Sequence, residues 1–398
     1  MTRGIQTYLA DALSSSAVVP PACAADTTTI IAASPATASP PTSDEIALLR
    51  QALAAFYGQP RDSPLALTKL DEALAAWQRQ PPDERAALYR VRGDVHLDLK
   101  LPRKAAEDYA TTIQLLEGPG GDKADESELP AARLGRARAL RGAFLSGNAQ
   151  RLTKDEWTDV AQDYQIALRL SSRDDYLDTD AEREADGAQR NPYAAWEWGM
   201  ALRGAGRYRQ ASETHTLAAL AFKDIGDRAR SIISELDAGI DLAAAVGTGT
   251  GSTNGSDKNY GDAKELLEKA IPKTTGVTSG TDVELLQRVI AKEGEARIAL
   301  AALLWDAGEK AGAERQLGEA CVRFDQLEAD AADREAARLK KGLMPPPKYN
   351  KVLFSIDEFA GAGGKVSCAR FQNDEFLVRV VEWPETLRQK VHKLNKLG

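Results

Sequence analysis

Apolar and small residues recur at helical spacing from Asp44 onward, and they recur in pairs of helices. The second helix of each pair carries an Ala, a bulky residue four positions later and an Ala three after that. The six sets are Ala66, Leu70, Ala73; Ala105, Tyr109, Thr112; Val160, Tyr164, Ala167; Ala211, His215, Ala218; Ala263, Leu267, Ala270; and Ala313, Leu317, Ala320. Positions i, i+4 and i+7 share one helix face, so the small residues admit a neighbouring helix closely while the bulky one fills the gap. The first helices repeat a glycine: Gly93, Gly135, Gly199 and Gly239, with Ala301 in its place in the sixth pair and Gly308 at that pair's turn. A glycine inside a helix costs roughly 1 kcal/mol against Ala, so its return at one position predicts tight backbone contact.

The spacing between pairs is irregular. Residues 146–154 and 247–256 read as insertions within pairs, and 118–126 and 171–189 as the longest linkers between them. After the sixth pair, 329–341 continue a charged helix until Pro345, Pro346 and Pro347. Residues 352–354, 365–368 and 376–378 then read as short strands or extended segments. A last helix follows, with Pro384 and Glu385 in its first turn and an apolar stripe of Leu387, Val391 and Leu394. Three parts result: a low-complexity segment over 1–43, a helical repeat domain over 44–342 and a small mixed cap over 343–398.

Composition narrows the function classes. The chain has 398 residues, 43% hydrophobic and 28% charged, with a net charge of -8. Such an acidic balance supplies no overall field for gripping nucleic acid. No apolar run reaches the roughly 18 residues of a membrane span. The three cysteines, Cys23, Cys321 and Cys368, form no CxxC, which argues against a disulfide framework or a zinc knuckle. The three histidines, His96, His215 and His392, are too scattered for HExxH. No metal, cofactor or catalytic constellation is expected. Residues 1–43 are rich in Ala, Ser, Thr and Pro; they read either as an organelle-targeting segment, with Ala22-Cys23-Ala24 as a small-x-small processing site, or as a low-complexity tail.

Three local patterns could carry chemistry. Gly247, Gly249 and Gly251 miss the GxGxxG spacing and have no GK[ST] after them, so they read as a flexible loop. Asp174, Asp175, Asp178, Asp180, Glu182 and Glu184 lack the sixth-place Gly and twelfth-place Glu of a calcium loop and read as a solvated acidic linker. Arg388, Lys390, Lys393 and Lys396 form a basic side on the last helix; a solvated face is the preferred reading, contact with an anionic membrane surface or acidic partner the other. His215 occupies a core position of its repeat and is expected to pack.

The fourth pair is the clearest: Trp196-Glu197-Trp198-Gly199-Met200-Ala201-Leu202, then Gly206, Tyr208, Ala211 and Ala218. It resembles the tetratricopeptide-repeat superfamily, whose unit is a helix–turn–helix of about 34 residues. The resemblance covers roughly residues 45–327 and implies an all-α, right-handed solenoid of about six helix pairs whose first helices line a concave groove. In that register the groove contacts are Arg136, Tyr193, Trp196, Met200, Arg203 and Trp305, with Arg90, Asp94 and Ile298 at equivalent places. Aromatic, Met and Arg side chains of this kind are enriched at binding hot spots. A chaperone-type carboxylate clamp is not expected: Arg90 suits it, but Asp94 stands where an Asn is needed, and Ala132 and Arg136 do not restore the pattern. The stretch from Asn191 to Gly199, residues 227–231 and the closing Trp383-Pro384 helix are similar to thylakoid-associated repeat proteins of plants and algae. That similarity implies a chloroplast location and a non-catalytic scaffold, partnered by proteins of a photosynthetic membrane complex and not by nucleic acid. Peripheral membrane association and self-association remain open, as do two alternatives: a structural subunit of a larger complex, and a cytoplasmic location. An active site in 348–398, drawing on Asp357, Glu358, Cys368 and His392, shows no recognisable arrangement.

Overall fold

Threonine followed three residues later by glutamate starts three helices in the same way. Thr42 with Glu45, Thr153 with Glu156 and Thr179 with Glu182 form reciprocal capping boxes, in which each hydroxyl accepts from the glutamate N–H and each carboxylate accepts from the threonine N–H. In this computed structural model the described residues are 41–118, 128–145, 152–173, 176–247, 258–277, 283–340 and 368–394. Every regular element among them is helical.

The chain divides into two compact units, Met1–Ala149 and Gln150–Gly398. The first contains α1 (Ser43–Tyr57), α2 (Ser63–Ala76), α3 (Pro82–Asp98), α4 (Pro102–Glu117) and α5 (Glu128–Leu145), each packed on its sequence neighbour. The second contains α6 (Lys154–Leu170), α7 (Asp180–Arg190), α8 (Pro192–Gly204), α9 (Tyr208–Asp224), α10 (Arg228–Ala245), α11 (Lys258–Ala270), α12 (Val283–Asp306), α13 (Lys310–Lys340), α14 (Asp374–Arg379) and α15 (Glu385–His392). Here α8 pairs with α9, α10 with α11 and α12 with α13, while α10 also packs directly on α12. The neighbouring-pair arrangement expected from the Ala/bulky/Ala periodicity is present in both units. The helices of the third expected pair, α5 and α6, belong to different units.

One turn closes these pairs repeatedly. After α8 the N–H of Arg207 donates to the carbonyl of Leu202 and that of Gly206 to Arg203. The same two bonds follow α12, from Glu309 to Leu304 and Gly308 to Trp305, and follow α9, from Asp227 to Phe222 and Gly226 to Lys223. These are Schellman closures, which require a left-handed residue; Gly206 has φ 78° and Gly308 φ 86°. Between α3 and α4 the same bonds run from Leu101 to His96 and Lys100 to Leu97, but the left-handed place is held by Lys100, at φ 61°.

The helix glycines behave as expected. A Cβ on Gly93 would stand 2.9 Å from the Tyr109 ring, one on Gly239 2.6 Å from Leu267, and one on Gly199 against the His215 ring. Each partner is the bulky residue of the paired second helix. In the last pair the close contact belongs to Gly294 and Phe324, seven residues before Ala301, which is itself fully buried.

Three expectations are corrected. Residues 376–378 are not a strand but lie within α14: Asn373 caps it by accepting from the Phe376 N–H, Asp374 and Glu375 favour its first turn, and Phe376 and Leu377 are buried. The mixed cap is therefore helical where it is described. Residues 171–189 are not only linker, since the Thr179/Glu182 box starts α7, which packs on α6, α8 and α9. Cys321 on α13 and Cys368 are joined by a disulfide spanning 47 residues, although the three scattered cysteines argue against a disulfide framework. Closing a span of 47 residues contributes about 4 kcal/mol in the chain-entropy description. Residues 1–40, the expected strands at 352–354 and 365–367, the triple proline and most of the 247–256 loop lie outside the described residues.

Replacing Lys100 by Gly removes a left-handed side-chain residue at a turn that three other sites fill with glycine. Lys100→Gly is expected to leave the fold intact and raise stability by about 0.5–1 kcal/mol, read as a rise in the melting temperature of the first unit. A fall in melting temperature would contradict the turn assignment.

Candidate interaction surface

The first helices α8, α10 and α12 are tied together by charge buried between them. Trp196 and Arg203, seven residues apart on one face of α8, both reach α10. The Trp196 indole N–H donates to Asp237 Oδ2 at 2.9 Å, and Arg203 Nη2 donates to Asp237 Oδ1 at 3.0 Å. Arg203 Nε also donates to Asp241, one turn further along α10. From α12, Lys292 Nζ reaches Asp237 Oδ1 at 3.2 Å and Glu295 Oε2 at 2.7 Å. His215 on α9 closes the group, its Nδ1 lying 2.6 Å from Asp241 Oδ2. Because Arg203 holds that carboxylate as an acceptor, Nδ1 is the donor. Arg203 is 1% exposed and the two aspartates 0%.

Two cations face three carboxyl groups here. Burial alone would push Asp237 up, but Lys292 and Arg203 outweigh it and hold the carboxyl well below its usual range. Burial would lower Lys292, and Asp237 and Glu295 more than reverse that. Glu295 is left with the weakest claim on positive charge; burial pushes it up to about 7 against the pull of Lys292, with Asp237 pushing the same way.

A further buried carboxylate, Glu293 on α12, is satisfied from three sides. It accepts from Arg297 Nε at 2.9 Å, from Arg323 Nη2 of α13 at 2.7 Å and from Thr274 Oγ1 at 2.8 Å. The first unit has its own network. Asp108 on α4 accepts from Arg92 Nη2 at 2.6 Å and lies 2.8 Å from His96 Nδ1, while Asp94 accepts from the Tyr109 hydroxyl at 2.6 Å and from Arg90. In both units paired charges are used where helices meet.

These networks decide where the expected groove residues lie. Trp196, Met200 and Arg203 are buried between helices, as is Ile298. Tyr193 is 39% exposed. Its ring is edge-on to Phe222 at 5.1 Å and covered on one face by the Arg230 guanidinium at 5.2 Å. Trp305 is partly buried, with Lys310 Nζ 3.6 Å from its ring centroid. Arg136 is half-buried on α5 in the first unit. The turn joining α9 to α10 leaves Ile225 exposed, three residues after Phe222. The basic side of α15 is occupied inside the second unit: Arg388 pairs with Asp374, and Lys390 and Lys393 with Asp306. Lys396 lies outside the described residues, as do Asp174 and Asp175. The rest of the acidic stretch helps fix α7, with Asp180 paired to Arg169 at 2.6 Å and Glu184 bonded to Gln165 at 2.9 Å.

His215 and Asp241 resemble part of a catalytic dyad in distance alone. The other ring nitrogen, Nε2, backs onto Gly199 and has no hydrogen-bond partner, so no hydroxyl or thiol stands where it could be activated. Among the described residues no three His, Cys, Asp or Glu side chains are grouped to hold a metal ion. Among the described residues no helix is long and apolar enough to cross a membrane. No known family model matches the chain, and no curated protein matches it in sequence.

The residues that sequence reading passed over are Asp237, Asp241, Lys292 and Glu295. The signal was present: two aspartates four apart on one face of the otherwise apolar run from Leu236 to Ala245. Because Glu295 ionises at about 7 when folded and near 4.5 when free, its contribution to stability is full below pH 4.5 and is lost as pH rises through 7. Wild-type stability of the second unit should therefore fall between pH 5 and pH 8 by about 1–3 kcal/mol, and Glu295→Gln should flatten that fall. Parallel pH profiles for the two proteins in thermal melts would count against the assignment.

Proposed function

We propose that this chain is a non-catalytic tetratricopeptide-type repeat scaffold that binds protein. The observation that carries the reading is the recurrence of one packing device, a first-helix glycine against the bulky residue of its second helix, at Gly93/Tyr109, Gly199/His215 and Gly239/Leu267. Repeats of this kind stack into extended surfaces suited to binding protein. The surface proposed for the partner is the end of the fourth pair where Tyr193 is exposed and backed by Phe222 and Arg230, together with the exposed Ile225 three residues after Phe222. A rigid, half-exposed aromatic loses little entropy on binding and suits an interface anchor. Trp196 and Arg203, expected at first to touch a partner, serve instead to fix this end of the scaffold.

The similarity of the Asn191–Gly199 stretch to thylakoid-associated repeat proteins favours a chloroplast setting and a role in assembling a photosynthetic membrane complex. The alternative is a permanent subunit of such a complex. The test is capture from chloroplast extract by the tagged full chain, compared with Tyr193→Ala and the double variant Tyr193→Ala, Ile225→Ser. The account predicts at least a tenfold loss of the captured protein with melting temperature unchanged. Equal capture by wild type and the double variant would remove this surface from the proposal. Release at moderate salt would mark an assembly factor, and retention in fixed stoichiometry a resident subunit.

A further inference from the structure

The C-terminal segment lies on α10 and α12, two of the first helices. Helix α15 packs on α10 and α12. Leu387, Val391 and Leu394 are buried there together with Trp383 and Val381. The Phe371 ring lies tilted against those of Phe324 of α13, at 5.3 Å, and Trp383, at 5.4 Å.

Polar contacts match the apolar ones. The last carbonyls of α10 have no partner within their own helix. Thr386 Oγ1 donates to the Ala244 carbonyl at 3.0 Å, and Lys390 Nζ donates to that of Val246 at 2.9 Å. Asp306, at the end of α12, receives Lys393 at 2.8 Å and Lys390 at 3.6 Å. Burial would push the Asp306 carboxyl up, and these two lysines outweigh it. The face of α10 and α12 is therefore shaped for one kind of occupant: an amphipathic helix with apolar side chains at i, i+4 and i+7 and lysines that reach carbonyls and an aspartate. Residues 385–394 are the occupant the chain supplies.

That occupant is held covalently. Cys368, at the start of the described C-terminal segment, is bonded to Cys321 on α13. Cys321 is only partly buried while Cys368 is buried, so an entering thiolate meets the Cys321 sulfur first and Cys368 leaves. We propose that the Cys321–Cys368 disulfide is a redox latch that keeps α15 on the α10/α12 face, and that a dithiol reductant opens it to a partner's amphipathic, lysine-bearing helix. In the step the dithiol's first thiolate forms a mixed disulfide. Its second thiolate then closes the reductant's own disulfide, and two electrons and two protons end on Cys321 and Cys368 as thiols. Losing the cross-link over 47 residues favours the undocked segment by about a thousandfold in the chain-entropy description. This inference rests on the scaffold reading for its partner, but the latch is tested without one.

The experiment uses the full chain, oxidised or treated with dithiothreitol, and a fluorescein-labelled peptide of residues 383–394 as the probe. Alkylation of free thiols reports the state of the bond. On reduction, amide exchange in α15 is expected to rise at least a hundredfold, and the peptide to bind the reduced chain but not the oxidised one. Cys321→Ser, checked for an unchanged helical circular dichroism spectrum, should behave as the reduced chain without dithiol. Three free thiols in the oxidised protein in place of the one of Cys23, equal exchange in both states, or equal peptide binding by both would each overturn the latch. Peptide exchange as expected, with no Tyr193-dependent capture from extract, would sink the scaffold reading and leave the latch standing.

Discussion

Arg203 reaches from one first helix to two aspartates on the next, and the arrangement of the second unit depends on it. Asp237 and Asp241 are one turn apart on α10, so a single guanidinium on α8 spans both. Lys292 adds the following first helix, α12, to the same carboxylate. Apolar packing of Ala and Leu is non-directional and would tolerate sliding of one helix past another by a turn. A buried fork of charge is not tolerant in that way, because a slip strands ions without water. Burying an ion pair gives little net stability over an apolar core; its value lies in which packing it permits. Specifying register is the role this network has in the fold.

The same logic explains why the proposed partner surface is placed at the edge of this region. Trp196 and Met200 point into the space between helices, and the indole N–H is spent on Asp237. What stays exposed is the rim, where Tyr193 stands edge-on to Phe222 of α9. At the far end of the unit the first-helix face is covered by the chain's own C-terminal helix, which completes the hydrogen bonding of α10 and neutralises Asp306. An end repeat of a stacked array needs such a cover to keep its apolar face from water.

Much of the helical architecture could be read from residue spacing. The Ala/bulky/Ala rows and the recurrent glycine follow from short-range geometry, and Gly93, Gly199 and Gly239 each meet the partner that the spacing implies. Helix α7 was hidden by its composition: six acidic residues suggested solvent, yet Thr179-Asp180-Ala181-Glu182 carried a capping box that starts a helix whatever follows. Phe376-Leu377-Val378 read as a strand because three apolar residues have no distinguishing period; Asn373, three residues upstream, decided it by capping. The burial of Trp196 and Arg203 was not legible, since a groove-facing and a neighbour-facing position differ by a fraction of a turn. Only the distant Asp237 and Asp241 settle which one applies. The Cys321–Cys368 pair, like the charge network, joins residues too far apart in sequence for spacing to reveal.

The most direct test of the account is a double-mutant cycle between Arg203 and Asp241, using Arg203→Met and Asp241→Leu and denaturant unfolding of the full chain. Each single variant leaves a charge buried without its partner and should lose about 3–5 kcal/mol. The double variant should recover much of that loss, giving a coupling of at least about 2 kcal/mol. Single losses that simply add, with coupling under about 0.5 kcal/mol, would contradict the claim that this pair holds the helices in register.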